Sequence, residues 1–158
     1  MTTKGLNVKM KENLIISACL LGMPTRYDGK SVAKVDAAKL SEKYNLIPVC
    51  PEIYGGLPTP RVPSEKQGSA VRMKDGTDVT ENFARGAAST LEIAKISGAK
   101  RALLKAKSPS CGKGLIYDGT FTGNKIPGNG VTVELLEQNG IRVFTEEDVE
   151  QGAIDAYL

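Results

Sequence analysis

The 158-residue sequence contains no histidine at all and only three cysteines. Without histidine there can be no Ser-His-Asp or Cys-His catalytic arrangement and no His-ligated zinc or haem site. Thiolates, carboxylates, lysines, hydroxyls and tyrosines are left to bind metal or carry protons. Long apolar runs are missing too. Ile15-Ile16 and Ala102-Leu103-Leu104 fall far short of the roughly 18 residues that a membrane-spanning helix requires. Residues Met1 to Asn13 are too polar for a secretion signal, so a cytoplasmic protein without membrane attachment is expected. In that reducing compartment an odd number of cysteines argues against a disulfide framework and for metal binding or a reactive thiol. Three unrelated buried thiols are the ordinary alternative.

The amounts present are those of a globular chain: 41% hydrophobic and 25% charged residues, enough for one core and a single domain over residues 1–158. A net charge of +3 is too small to imply nucleic-acid binding, but the charges are unevenly placed. From Ile93 to Tyr117 there is no acid, while Lys95, Lys100, Arg101, Lys105, Lys107 and Lys113 are all basic. After Phe144 the pattern inverts, with Glu146, Glu147, Asp148, Glu150 and Asp155. An anion near Cys111 would be well accommodated.

Apolar runs predict strands at 13–18, 46–49, 100–105 and 141–144. Helical spacing predicts helices near 32–44, from about residue 80 to Ser97-Gly98, over 131–138 and after Thr145. The prolines and glycines of 51–63 predict an irregular loop, and Tyr117-Asp118-Gly119-Thr120 a hairpin turn. Alternating strands and helices imply a three-layer α/β/α fold on a mainly parallel, Rossmann-like sheet, in which ligands collect beyond the carboxyl ends of the strands. Cys19, Cys50 and Cys111 each follow a predicted strand, where glycine- and proline-containing loops begin. Segments far apart in sequence can thus deliver three thiolates to one small volume.

Structural zinc usually takes four protein ligands in close Cys-x-x-Cys pairs, and neither feature is present. Iron-sulfur clusters normally take four cysteines, so three would leave one iron open to a substrate atom as a Lewis acid. Lys105, Lys107 and Lys113 could offset the negative charge of such a cluster, or could form an ordinary solvated surface.

The motifs Ile16-Ser17-Ala18-Cys19-Leu20-Leu21-Gly22, Arg26-Tyr27-Asp28-Gly29, Val49-Cys50-Pro51-Glu52, Gly55-Gly56-Leu57-Pro58-Thr59-Pro60-Arg61 and Lys107-Ser108-Pro109-Ser110-Cys111-Gly112 occur in this order. As a set spanning nearly the whole chain, they resemble the thiouracil desulfidase family, small bacterial proteins that remove sulfur from thiolated uracils without net redox change. The resemblance implies a 4Fe-4S cluster on Cys19, Cys50 and Cys111, and catalytic positions at Glu52 and Ser108. A thiocarbonyl sulfur is a soft ligand for iron, and its coordination would polarise the carbon-sulfur bond for attack by water. With histidine unavailable, Glu52 is the natural proton carrier, although it could equally cap a loop. Ser108 could orient water or the ring, or serve only as turn chemistry. Arg26, Tyr27, Asp28, Arg61 and Lys107 are the expected substrate contacts, with loop-pinning ion pairs, Arg26 to Asp28 and Arg61 to Glu65, as the alternative. In Gly55-Gly56 the glycines are expected to supply positive backbone angles or a close approach.

Longer relatives carry an additional domain associated with transfer RNA, and this chain ends at Leu158. The expected partner is therefore a thiolated pyrimidine base or mononucleotide rather than nucleic acid. The competing reading is a zinc-, nucleotide- or phosphate-binding module without catalysis. The sequence leaves open the position of the sulfur, base against nucleotide, and the oligomeric state.

Overall fold

The structure, a computed structural model, describes residues 10–150, so the readings made for residues 1–9 and from residue 151 onward lie outside it. The chain order is β1 (Glu12–Ser17), α1 (Ala37–Lys43), β2 (Tyr44–Val49), α2 (Pro51–Tyr54), β3 (Ser64–Gln67), β4 (Ala70–Met73), α3 (Thr80–Ser97), β5 (Arg101–Leu104), β6 (Leu115–Tyr117), β7 (Lys125–Pro127), α4 (Val131–Gln138), β8 (Arg142–Thr145) and α5 (Glu146–Glu150). The four strands read from apolar runs form one parallel sheet in the order β2-β1-β5-β8.

Strands buried on both faces need unbroken apolar runs, because alternate side chains go to opposite sides. Ile15, Ala102, Leu104 and Val143 pack on one face against Leu91 and Ala94 of α3 and Val133 and Leu136 of α4. Their neighbours Leu14, Ile16, Leu103 and Phe144 pack on the other against Leu20, Leu21, Val32, Val35, Leu40 and Val149. These two apolar layers make the fold α/β/α in three layers. Leu14, Ile15, Ile16, Leu103 and Leu104 are wholly buried, and each such side chain contributes about 1.5–3 kcal/mol.

Several elements differ from expectation. The first helix is short, because Ala33 takes a positive φ of 45° and Asp36 caps at residue 37, accepting from the Lys39 amide at 3.1 Å. Val32 and Val35 still reach the core, but from extended chain. Tyr44 and Asn45, expected to end that helix, instead open β2. The irregular loop begins with one helical turn, α2, whose first residue is Pro51, where a missing amide costs nothing. The antiparallel hairpin β3-β4 was not foreseen. Its strands are polar, and only Val71 is fully buried among Leu57, Val79 and Phe83. Thus the start of α3 packs on this hairpin and only its later turns on the sheet. Tyr117 does begin a hairpin, but the turn is longer than predicted, because β6 pairs with β7 across residues 118–124. Among the described residues no helix is long and apolar enough to cross a membrane.

The contact between α2 and α3 is made by glycines. A Cβ on Gly86 would lie 1.8 Å from the Pro51 carbonyl oxygen, and one on Gly55 would lie 2.0 Å from that of Asn82. Gly55 therefore serves close approach, whereas Gly56 supplies a positive φ of 91°.

Candidate functional site

From β1 the chain moves outward to β2, then returns to β5 on the other side of β1. Connections leaving β1 and β5 diverge at this switch in strand order, which opens a crevice at the carboxyl ends. A cavity of about 510 Å³ lies there, lined by Cys19, Cys50 and Cys111 together with Glu52 and Ser108. Arg26, Tyr27, Arg61 and Lys107 also line it, but Asp28 does not. Asp28 pairs with Arg26 at 3.3 Å and accepts from the Lys30 amide at 3.0 Å, so it pins its own loop.

Each cysteine is held by a different device. Cys19 lies in a 3-10 turn over Ala18–Leu21, and its carbonyl accepts from the amides of Gly22, Val32 and Ala33, which folds the following loop back onto it. Cys50 caps α2 and donates to the Thr25 carbonyl at 3.7 Å. Cys111 lies in a turn built on Ser108, whose hydroxyl oxygen accepts from the amides of Ser110 and Cys111, both at 3.1 Å. That turn docks on the start of α4. Gly130, Val131 and Thr132 donate to the carbonyls of Gly112, Pro109 and Ser110, satisfying amides that the helix leaves unpaired. The buried hydroxyls of Ser110 and Thr132 lie 2.7 Å apart.

The thiols share one electrostatic difficulty. Burial, then the neighbouring Cys50, pushes Cys19 up to about 11, and the same causes push Cys111 higher still, against an opposing hydrogen bond with Ser17. Burial also raises Cys50, opposed by the amides of Ile53 and Glu52. Three thiolates in this setting need positive charge placed among them. An iron-sulfur core of net positive charge provides it, so the donor set fits such a cluster. Among the described residues no group of three or more Cys, Asp or Glu is disposed to hold a single metal ion.

Burial raises the Glu52 carboxyl, while Arg61 opposes that shift by charge and hydrogen bonding. Arg61 Nε lies 3.1 Å from Glu52 Oε1, and its remaining nitrogens donate to the carbonyls of Thr25 and Pro58 and to the Thr59 hydroxyl. With a side chain only 3% exposed, Arg61 is committed to joining three segments around Glu52.

Three lysines of the basic stretch pair with acids that follow it. Lys105 pairs with Glu146 at 3.0 Å, Lys107 with Glu147 at 2.8 Å and Lys113 with Glu137 at 2.7 Å. Lys105 and Lys107 line the cavity and Lys113 does not. Glu146, 2% exposed, also accepts from the Ala106 amide through both oxygens at 2.9 Å, which fixes the exit from β5.

Sequence reading passed over several lining residues. Ser17 accepts from the Lys105 amide at 2.9 Å and contacts Cys111; its place two residues before Cys19 was the available signal. Glu65, expected as a partner for Arg61, instead accepts from amides of the β6-β7 loop, while Tyr117 and Phe121 enter the cavity from that second hairpin. Nothing local in the sequence announces that they converge.

The family model described as 2-thiouracil desulfurase matches residues 14–148. The chain is 42% identical over 146 residues to "Uncharacterized protein YbbK" of Bacillus subtilis (strain 168), covering 86% of this chain and 97% of that protein. A solved structure, described as the 4Fe-4S-dependent thiouracil desulfidase TudS, superposes with a TM-score of 0.86 at 46% identity, covering 92% of this chain and 98% of that one.

Proposed function

Because the chain belongs to the 2-thiouracil desulfurase family, we propose that it hydrolyses the carbon-sulfur bond of a thiolated uracil, as base or nucleotide, using a 4Fe-4S cluster held by Cys19, Cys50 and Cys111. The observation that carries this reading is the meeting of all three thiols with Glu52 and Ser108 in one cavity at the strand ends. Likeness to a structure described as a 4Fe-4S-dependent thiouracil desulfidase supports the cofactor and the substrate class. A cytoplasmic setting, where thiols stay reduced, suits it.

When bound, the cluster supplies an iron without a protein ligand, a Lewis acid for the thiocarbonyl sulfur. The chain's own residues do the rest. Glu52, desolvated so that its proton is held more tightly than usual, takes a proton from the attacking water and returns it to the departing sulfur. Overall, water replaces sulfur, C=S becoming C=O and hydrogen sulfide leaving, with no change of oxidation state. Arg61 keeps the Glu52 carboxylate oriented. Ser108 has its oxygen engaged by two amides, which leaves its hydroxyl proton to donate into the cavity. Arg26, Tyr27 and Lys107 supply the substrate-facing lining.

Anaerobic reconstitution with iron and sulfide, followed by turnover of 2-thiouracil and 4-thiouracil, tests the proposal. The expected result is a brown protein with about four irons that releases sulfide, and a Cys111→Ala form that does neither. Zinc bound without sulfide, or full activity in Cys111→Ala, would sink it.

A further inference from the structure

The loop joining β6 to β7 places Tyr117, Phe121 and Gly123 in the cavity wall. Two of the aromatic residues in that wall already carry a cation. Arg26 lies over the Tyr27 ring at 5.7 Å and Lys125 over the Tyr117 ring at 5.8 Å. Phe121 has no such partner among the described residues. Its backbone is also unusual, with a φ of 57°, a left-handed conformation that bulky side chains seldom adopt. Something must hold it there.

That something is Glu65, on β3 of the other hairpin, only 9% exposed. One of its oxygens, Oε1, accepts from the Phe121 amide at 3.1 Å and from the Gly119 amide at 3.0 Å. Gln67 Nε2, from the same strand, donates to the Gly119 carbonyl at 2.8 Å. A buried carboxylate spent on two amides of one loop is a costly arrangement unless the loop's conformation matters. Left-handed backbone at bulky residues is concentrated where a ligand is clamped.

We infer that Phe121 stacks on the flat ring of the substrate, and that Glu65 is the positioning residue that sets the Phe121 backbone. The inference rests on the thiolated-pyrimidine reading and names the part of the wall that recognises the ring. The sulfur donors come from the sheet and the aromatic face comes from the hairpins, so the reacting atom and the ring plane are gripped by separate parts of the fold. A saturated or non-planar thiocarbonyl compound would reach the same three-cysteine site and lack this contact.

The chain has no tryptophan, so Phe121→Trp introduces a single indole that can be excited selectively, to the red of the tyrosines. Titrating uracil, which carries no sulfur to remove, into the reconstituted Phe121→Trp protein is expected to quench its emission saturably. Phe121→Leu keeps bulk without an aromatic face and is expected to raise the KM for 2-thiouracil about tenfold, with the loss confined to KM. Adding Glu65→Ala to Phe121→Trp should abolish saturable quenching, while Glu65→Gln, whose amide oxygen still accepts both bonds, should largely retain it. Should Glu65→Ala fail to fold, Glu65→Met, which keeps the bulk but offers no strong acceptor to the two amides, is expected to lose the saturable quenching instead, and full retention there would remove Glu65 from the account. Absent quenching in a protein that turns over thiouracil, or a Phe121→Leu KM within twofold of the unaltered protein, overturns the inference. Saturable quenching by uracil in a protein that never releases sulfide supports stacking and defeats the desulfuration reading instead.

Discussion

Arg61 shows how much of the site depends on a single side chain. It reaches Glu52, Thr25, Pro58 and Thr59 from an almost wholly buried position. Removing one partner of a buried ion pair leaves the other charge desolvated, typically at a cost of about 3–5 kcal/mol. Because the Glu52 side chain keeps 16% of its exposure, Arg61→Ala should fall near the lower end, about 3 kcal/mol, measured as a shift in the urea midpoint. Lysine cannot reproduce a guanidinium fork with several donors, so Arg61→Lys should recover little of the loss. Wild-type stability in Arg61→Lys would show that the fork geometry is immaterial. By contrast, Lys107 and Glu147 are both more than one-third exposed, and separating them should cost no more than about 1 kcal/mol.

Among the elements, the short helix α2 is the most constrained, because it carries Cys50 at its start and Glu52 in its first turn. Its distance from α3 is set by Gly86, where a methyl group would meet backbone rather than a flexible side-chain tip. Gly86→Ala should therefore destabilise by about 1–3 kcal/mol through overpacking, and should lower the iron content after reconstitution, because α2 must shift. Ala88→Ser, on the exposed side of α3, should change stability by less than about 0.5 kcal/mol and leave iron content alone. Equal iron content in the two variants would remove α2 spacing from the account. The sequence made the sheet strands and α3 readable because their apolar periodicity is strong, and it placed the cysteines correctly after strands. The β3-β4 hairpin escaped notice because Ser64, Glu65, Lys66 and Gln67 carry no apolar alternation. With it went the meeting of Glu65 with the Phe121 loop, which depends on tertiary contact. The charge asymmetry was legible, but the pairing of its lysines with Glu137, Glu146 and Glu147 was not, because those acids follow in sequence and return only through α4 and α5.

For the molecule as a whole, a cluster held as proposed by three thiols from widely separated segments would tie the first and third strand-end loops to α2. A group that binds the folded state and not the unfolded one stabilises by mass action, about 4 kcal/mol at a thousandfold excess over its dissociation constant. For a domain of this size each kcal/mol moves the midpoint by about 2–4 °C. Reconstituted protein should therefore melt roughly 8–16 °C above the cluster-free form under argon, and Cys111→Ala should lose that gap. An equal melting temperature with and without bound iron would mean that the group sits outside the folded framework.

The docking of the Cys111 turn on α4 also orders events during synthesis. The ribosome releases Cys19 and Cys50 well before α4, whose last residue is Gln138. At 5–20 residues per second, the roughly 120 residues from position 19 to position 138 take about 6–24 s to emerge. Between positions 50 and 111 the nascent chain holds two of the three thiols, and until Gln138 it lacks the complete helix whose amides fix the turn of the third. A pocket with all three thiols in place is therefore complete only once α4 has emerged, late in synthesis.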